Sequence, residues 1–168
     1  MLLILLCGII FLIFFYYCTR TPTPERVISE LKNARMIYKD TNNDYFTSYR
    51  HKIRAKPDFL YKLANGSIAL VEYKSQRDSI RESDVSQVIA ATLAVREKYP
   101  NLNIGFIYTR SGKVKCVDLN KSDEELINLI SAELTIARQL ENNMRPQFTP
   151  QKDKCRVCPY NMACSNRI

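Results

Sequence analysis

Two apolar runs, Phe59-Leu60-Tyr61 and Ile68-Ala69-Leu70-Val71, flank Asn65-Gly66, and the length of the turn joining them decides which polar side chains meet. A two-residue Asn-Gly turn closes Ala64 on Ser67. It sets Asp58 across from Tyr73 and sends Glu72 and Lys74 to the other face. A three-residue loop reverses this. With Ala64 and Asn65 in a type I turn and Gly66 left-handed in a G1 bulge, Leu63 closes on Ser67 and Asp58 lies across from Glu72. Gly66 stands where that loop needs a glycine, so this second register is expected. It groups Asp58, Glu72 and Lys74 with Leu60, Ile68 and Leu70, and leaves Phe59, Tyr61, Val71 and Tyr73 on the opposite face.

Two carboxylates held together resist joint ionisation unless a cation compensates, and oxygen donors suit Mg²⁺ or Mn²⁺. Such an ion lowers the pKa of a water and polarises a phosphoryl oxygen, while the Lys74 ammonium orients that water or offsets developing charge. The chemistry this supports is phosphodiester hydrolysis. Taken alone, an acid with Glu-x-Lys reads more readily as the solvated, charged end of a hairpin, so the neighbouring residues decide. Basic residues bracket the acids: Arg50, Lys52, Arg54 and Lys56 lead into Asp58, and Arg77 and Arg81 lead away from Lys74. They are candidate phosphate contacts, with a solvated basic strand and loop as the ordinary alternative. His51 is expected to be an exposed histidine outside the site.

Residues Leu2 to Tyr17 are apolar or aromatic apart from Gly8, nothing charged precedes Arg20, and Tyr16-Tyr17 resembles an interfacial aromatic belt. A single-pass transmembrane anchor over residues 1–18 is expected, in preference to a cleaved signal peptide. A linker follows over 19–30, stiffened by Thr21-Pro22-Thr23-Pro24. The net charge of +8 lies entirely beyond the anchor, which places the following domain, residues 31–168, on the cytoplasmic side. That charge suits a polyanionic partner or an anionic leaflet and does not choose between them.

Ala34–Tyr38 and Tyr45–Tyr49 are candidate strands before the hairpin. From Glu82 to Tyr99 the apolar spacing turns helical; a helix returning over the second strand could bring the Gln87 amide near the metal, although a surface glutamine is the ordinary reading of that residue alone. A second hairpin, Ile104–Tyr108 and Val114–Val117, turns at Ser111-Gly112, and Ser122-Asp123-Glu124-Glu125 caps a helix reaching about Asn143. The pattern predicts an α/β fold around a mixed sheet.

Near the C-terminus, Cys155, Cys158 and Cys164 form a C-x2-C-x5-C cluster. In a cytoplasmic setting a metal centre is favoured over disulfides, and thiolates suit zinc or an iron–sulfur cluster. Either needs a fourth ligand. Cys18 lies at the membrane edge, Cys116 reads as a buried structural thiol, and Cys7 falls inside the anchor.

Pro57-Asp58, Glu72-Tyr73-Lys74 on a strand, Gln87 on a helix and the terminal cysteines occur in an order that resembles the RecB-like branch of the PD-(D/E)xK nucleases. Within that branch the chain is similar to the CRISPR-associated Cas-four type exonucleases and their membrane-anchored relatives, over about Arg35 to Cys164. The resemblance implies a restriction-endonuclease-like core with a mixed β-sheet flanked by helices. It implies that Asp58, Glu72 and the Tyr73 backbone carbonyl hold Mg²⁺ or Mn²⁺, that Lys74 is the catalytic lysine, and that Gln87 is the helix-motif glutamine. It also implies that Cys155, Cys158 and Cys164, with Cys18 as the remaining candidate, ligate a 4Fe-4S cluster that ties the ends of the domain together. The family's helix motif continues Gln-x-x-x-Tyr, whereas this chain has Ala91 at that place. The implied activity is DNA cleavage, exonucleolytic on single strands, in repair, processing or defence. A noncatalytic, membrane-tethered nucleic-acid-binding module of the same fold is the alternative.

Overall fold

The computed structural model describes residues 23–41, 44–144, 152–156, 158 and 161–164. The expected anchor over residues 1–18 and Cys18 lie outside them. Among the described residues no helix is long and apolar enough to cross a membrane.

The chain divides at Ile130/Ser131 into two compact units. In the first, a short helix α1 (Pro24–Val27) and a 3-10 turn (Ser29–Leu31) precede strand β1 (Arg35–Lys39). A two-stranded ribbon follows, β2 (Phe46–Ser48) with β3 (Ile53–Ala55), and then the hairpin of β4 (Phe59–Lys62) and β5 (Ile68–Lys74). Helix α2 (Glu82–Val95), strands β6 (Leu102–Thr109) and β7 (Val114–Asp118), and helix α3 (Asp123–Leu129) complete it. The main sheet has the order β1-β4-β5-β6-β7. Its β5–β6 pair is parallel and the other neighbours are antiparallel. Parallel neighbours need a crossover longer than a hairpin, and α2 supplies it.

The expected register of the central hairpin is present. Phe59 pairs with Val71, Leu60 with Leu70 and Lys62 with Ile68, which extends to Asp58 opposite Glu72. The Leu63 N–H donates to the Ser67 carbonyl at 2.9 Å, the Gly66 N–H donates to the Leu63 carbonyl at 3.0 Å, and Gly66 has φ +83°. Asn65 Oδ1 accepts the Ser67 N–H at 3.0 Å, so the loop is an Asx-type turn as well.

Each face of the sheet is covered because each carries an apolar row. On one face Tyr61, Ala69, Val71, Phe106 and Tyr108 pack with Ile28 and Leu31, so part of the segment expected as linker is core. On the other, α2 buries Val88, Ile89, Ala91, Thr92 and Val95. Gly105 on β6 lets the helix approach: a Cβ there would stand 2.7 Å from Val88 Cγ1 and 3.0 Å from Leu119 Cδ1. Ala91 is buried on this helix, where a tyrosine would have no room without displacing the packing.

Three elements differ from expectation. The basic stretch before Asp58 contains its own strand, β3, paired with β2 in a separate ribbon packed on α2, and Lys52 takes φ +53° in the turn. The helix expected to reach Tyr99 ends at Val95, where Arg96 turns its guanidinium toward backbone carbonyls. The helix expected from Ser122 to Asn143 is two helices, because Ile130 leaves helical geometry at φ −118°. Leu126 and Ile130 are buried, whereas α4 (Ser131–Glu141), the first element of the second unit, buries no residue. The second unit also contains α5 (Lys152–Arg156) and a 3-10 turn (Asn161–Ala163). Cys116, expected to be buried, is exposed on the edge strand β7.

Candidate active site

The C-terminal end of β5 gathers the polar residues because strand alternation puts Glu72 and Lys74 on the face that α2 covers. Asp58 enters from the start of β4, and its Oδ2 accepts the Tyr73 N–H at 2.7 Å, which fixes the carboxylate beside β5. Lys74 Nζ donates to Glu72 Oε1 at 3.0 Å and to Gln87 Oε1 at 2.6 Å. Gln87 Nε2 in turn donates to Glu72 Oε1. One carboxylate oxygen thus holds both partners. Glu72 is 5% exposed, and its second oxygen, Oε2, is buried without a hydrogen-bond partner.

A buried carboxylate oxygen left bare is costly, and the electrostatics register that cost. Burial, with the neighbouring Asp58 charge, pushes the Glu72 carboxyl up to about 7 despite Lys74 and Gln87. Burial also raises Asp58, against the stabilising Tyr73 N–H and Lys74. A divalent cation relieves both effects, and the donor chemistry of two carboxylates beside the β5 backbone fits a hard oxygen-seeking ion. Among the described residues no cluster of three or more His, Cys, Asp or Glu side chains is arranged to hold a metal. The fit therefore rests on the carboxylate pair and its bare oxygen.

An acid that the sequence reading passed over adjoins this set. Asp84, three residues before Gln87 on α2, is buried; its Oδ1 meets Arg77 Nη2 and lies 3.7 Å from Lys74 Nζ, and its Oδ2 accepts the Arg81 N–H at 2.8 Å. Burial opposes its charge, but the Arg81 N–H, Arg77 and Lys74 outweigh burial and hold it below the usual carboxylate range. The helical spacing to Gln87 is the signal that could have found it. Tyr73, Lys74, Ser75, Gln76 and Arg77 line a hollow of about 160 Å³ at the strand end.

The expected phosphate contacts are dispersed. Arg50 pairs with Glu124 at 2.7 Å, Lys56 with Asp40 at 2.7 Å and Arg77 with Asp84. Lys52 and Arg54 are exposed on the ribbon, Arg54 lying 5.4 Å from the Tyr45 ring centroid, and Arg81 is exposed at the start of α2. His51 is not the exposed residue expected. Its side chain is 9% exposed, with Nε2 at 3.3 Å from Asp123 Oδ2, because the β2–β3 turn folds onto α3. Arg96 completes this second polar group: it donates to the carbonyls of Leu102, Leu119 and Lys121 and to Asp123 Oδ1.

In the second unit, Cys155, Cys158 and Cys164 are free thiols of intermediate exposure. The Cys158 N–H donates to the Cys155 carbonyl at 3.3 Å and the Cys164 N–H to the Asn161 carbonyl at 3.2 Å. Their soft donors suit a thiophilic metal, although they are not gathered into a three-ligand set.

No curated protein matches the chain. Among solved structures, the crystal structure of SSO0001 superposes with a TM-score of 0.42 at 19% identity, covering 83% of this chain. The chain spans 66% of that structure's own length. The family model of the PD-(D/E)XK nuclease superfamily matches residues 19–165, and the chain, which sets its acids and lysine at the end of a central strand in a mixed five-stranded sheet, belongs to that superfamily.

Proposed function

We propose that this protein is a Mg²⁺- or Mn²⁺-dependent deoxyribonuclease that hydrolyses phosphodiester bonds as an exonuclease on single-stranded DNA. The observation that carries this reading is the bare, buried Oε2 of Glu72 in a carboxylate pair with Asp58, beside a lysine whose ammonium is already aimed at the same residue. Asp58, Glu72 and the Tyr73 carbonyl hold the cation. When bound, the cation supplies the charge the two carboxylates need and the acidity that makes water a nucleophile near neutral pH. Gln87 fixes Glu72 Oε1, so that Oε2 remains the oxygen presented. Lys74 orients the attacking water and offsets negative charge as it builds on the phosphoryl oxygens. Arg50, Lys52, Arg54, Lys56, Arg77 and Arg81 supply the salt-sensitive attraction for the DNA backbone.

The proposal extends to two features outside the hydrolytic centre. Residues 1–18 anchor the chain as a single-pass membrane protein with its catalytic unit on the cytoplasmic side. The three C-terminal cysteines, with Cys18 as the remaining ligand candidate, hold a 4Fe-4S cluster, zinc being the competing occupant. A colourless, zinc-loaded protein after anaerobic purification would overturn the iron–sulfur assignment.

The deciding experiment measures release of nucleotides from single- and double-stranded DNA by the full chain in detergent with Mg²⁺ or Mn²⁺, beside Glu72→Ala and Lys74→Ala. Turnover abolished by both changes supports the assignment. Turnover that survives both rejects it, and salt-sensitive DNA binding without turnover in the unaltered chain assigns a binding module instead.

A further inference from the structure

Asp84 stands at the third helical position of α2, where an acid commonly caps the helix, and its Oδ2 does so by accepting the Arg81 N–H at 2.8 Å. Capping requires only that oxygen. The other, Oδ1, faces the Arg77 guanidinium and the Lys74 ammonium, and the side chain is 4% exposed. The two oxygens therefore have separate tasks, and only the second needs a negative charge.

Lys74 sits between two anions, 3.0 Å from Glu72 Oε1 and 3.7 Å from Asp84 Oδ1. With Glu72 holding a divalent cation, the Lys74 ammonium would face a like-charged neighbour, and Asp84 would be the anion left to hold it. The same oxygen fixes Arg77, one wall of the roughly 160 Å³ hollow beside Lys74. With Lys74 and Arg77 in its lining, the hollow suits an anion such as a phosphate group.

We propose that Asp84 is a positioning residue of the hydrolytic site, holding Lys74 at the reacting centre through its Oδ1 and fixing Arg77 as a contact for a substrate phosphate next to the scissile one. The proposal rests on the nuclease reading above. Asp84→Asn separates the two tasks, because its carbonyl oxygen still caps the helix while the charge is gone; Asp84→Ala removes both.

The test uses the full chain with Asp84→Asn, Asp84→Ala, Arg77→Ala and the Asp84→Asn/Arg77→Ala double variant. It reads kcat and KM on a single-stranded oligonucleotide with Mn²⁺, oligonucleotide binding by fluorescence anisotropy in EDTA, and melting temperature. The expected result for Asp84→Asn is a melting temperature lowered by less than in Asp84→Ala, kcat per folded molecule down about tenfold or more, and binding weakened about three- to tenfold. Arg77→Ala should reproduce the binding loss, and adding it to Asp84→Asn should weaken binding no further. Unchanged kcat and binding in Asp84→Asn overturn the proposal, as does activity in the two Asp84 variants that falls only in proportion to folded protein. If the unaltered chain turns over no DNA, the nuclease reading fails separately. The EDTA binding cycle then still decides the Arg77 role, and additive losses reject it.

Discussion

The two ends of α2 carry polar clusters of opposite character. At its C-terminal end, Arg96 donates through Nε, Nη1 and Nη2 to three carbonyls and Asp123, His51 meets the same carboxylate, and Ser48 donates to Glu97 at 2.8 Å. The larger hollow, about 510 Å³, is at this end, lined by Arg50, Arg96, Asn101, Lys121 and Asp123 among others. At its N-terminal end the hollow is smaller, yet Glu72 keeps a buried oxygen bare. The satisfied cluster ties the ribbon and α3 to the sheet. The unsatisfied one has affinity left for something outside the chain, and that separates a site from a brace more reliably than the size of the hollow.

The strongest way to break this contrast is to remove the groups at the unsatisfied end. Glu72→Ala and Lys74→Ala should each lower kcat about a thousandfold or more, while the melting temperature holds or, for Glu72, rises as its desolvation cost disappears. A collapse of folding in either variant would show that the cluster braces the fold after all. At the satisfied end the expectation reverses. Arg96→Ala leaves several carbonyls and Asp123 without their donor and should cost about 3 kcal/mol, on the order of 10 °C in melting temperature, with kcat per folded molecule retained. Thermal denaturation with active-site titration checks this.

Between the two ends, Gly105→Ala sharpens the comparison. Its Cβ would press on Val88, next to Gln87, so it should cost about 1–3 kcal/mol and also weaken activity, whereas a purely structural brace would lose stability alone. The smallest effect is in pH. Glu72 is raised in the folded chain, so its contribution to stability is present below its unfolded pKa and is lost as pH rises through about 7. In EDTA the melting temperature of the unaltered chain should therefore drop by a few degrees relative to Glu72→Gln between pH 5 and pH 8, and Mg²⁺ should close the gap. Activity runs the other way and should climb with pH toward neutrality, since the ionised carboxylates hold the cation. Parallel slopes for the two proteins in EDTA would remove Glu72 as the titrating group.

The sequence made the hairpin legible because Gly66 discriminates between two loops of different residue count, and the grouping of Asp58, Glu72 and Lys74 follows from that one decision, while Gln87 needed the helical spacing after it. Asp84 was passed over since acids in a first helical turn are ordinary caps, and only the sheet's proximity gives its second oxygen another partner. Arg96 and His51 were opaque for a related reason: their partners, the carbonyls of residues 102, 119 and 121 and the carboxylate of Asp123, are assembled by tertiary contacts with no fixed spacing. The break at Ile130 was hidden because the helical apolar spacing continues through it, while burial does not. A basic strand was one reading of the run before Asp58, but its pairing with β2 in a separate ribbon was not legible, since a three-residue strand has too little alternation to show its partner.

The Ala64-Asn65-Gly66 loop acts as a parity constraint on heredity. It lies at the opposite end of the hairpin from Asp58 and Glu72, about 20 Å away along the strand. Losing or gaining one residue there would nevertheless turn every side chain of β4 to the other face, carrying Asp58 away from Glu72 and Lys74 and driving Tyr61 into the packing beneath α2. Length changes at this exposed turn are therefore filtered in steps of two, and a single-codon deletion in it would be more damaging than many substitutions beside the site itself.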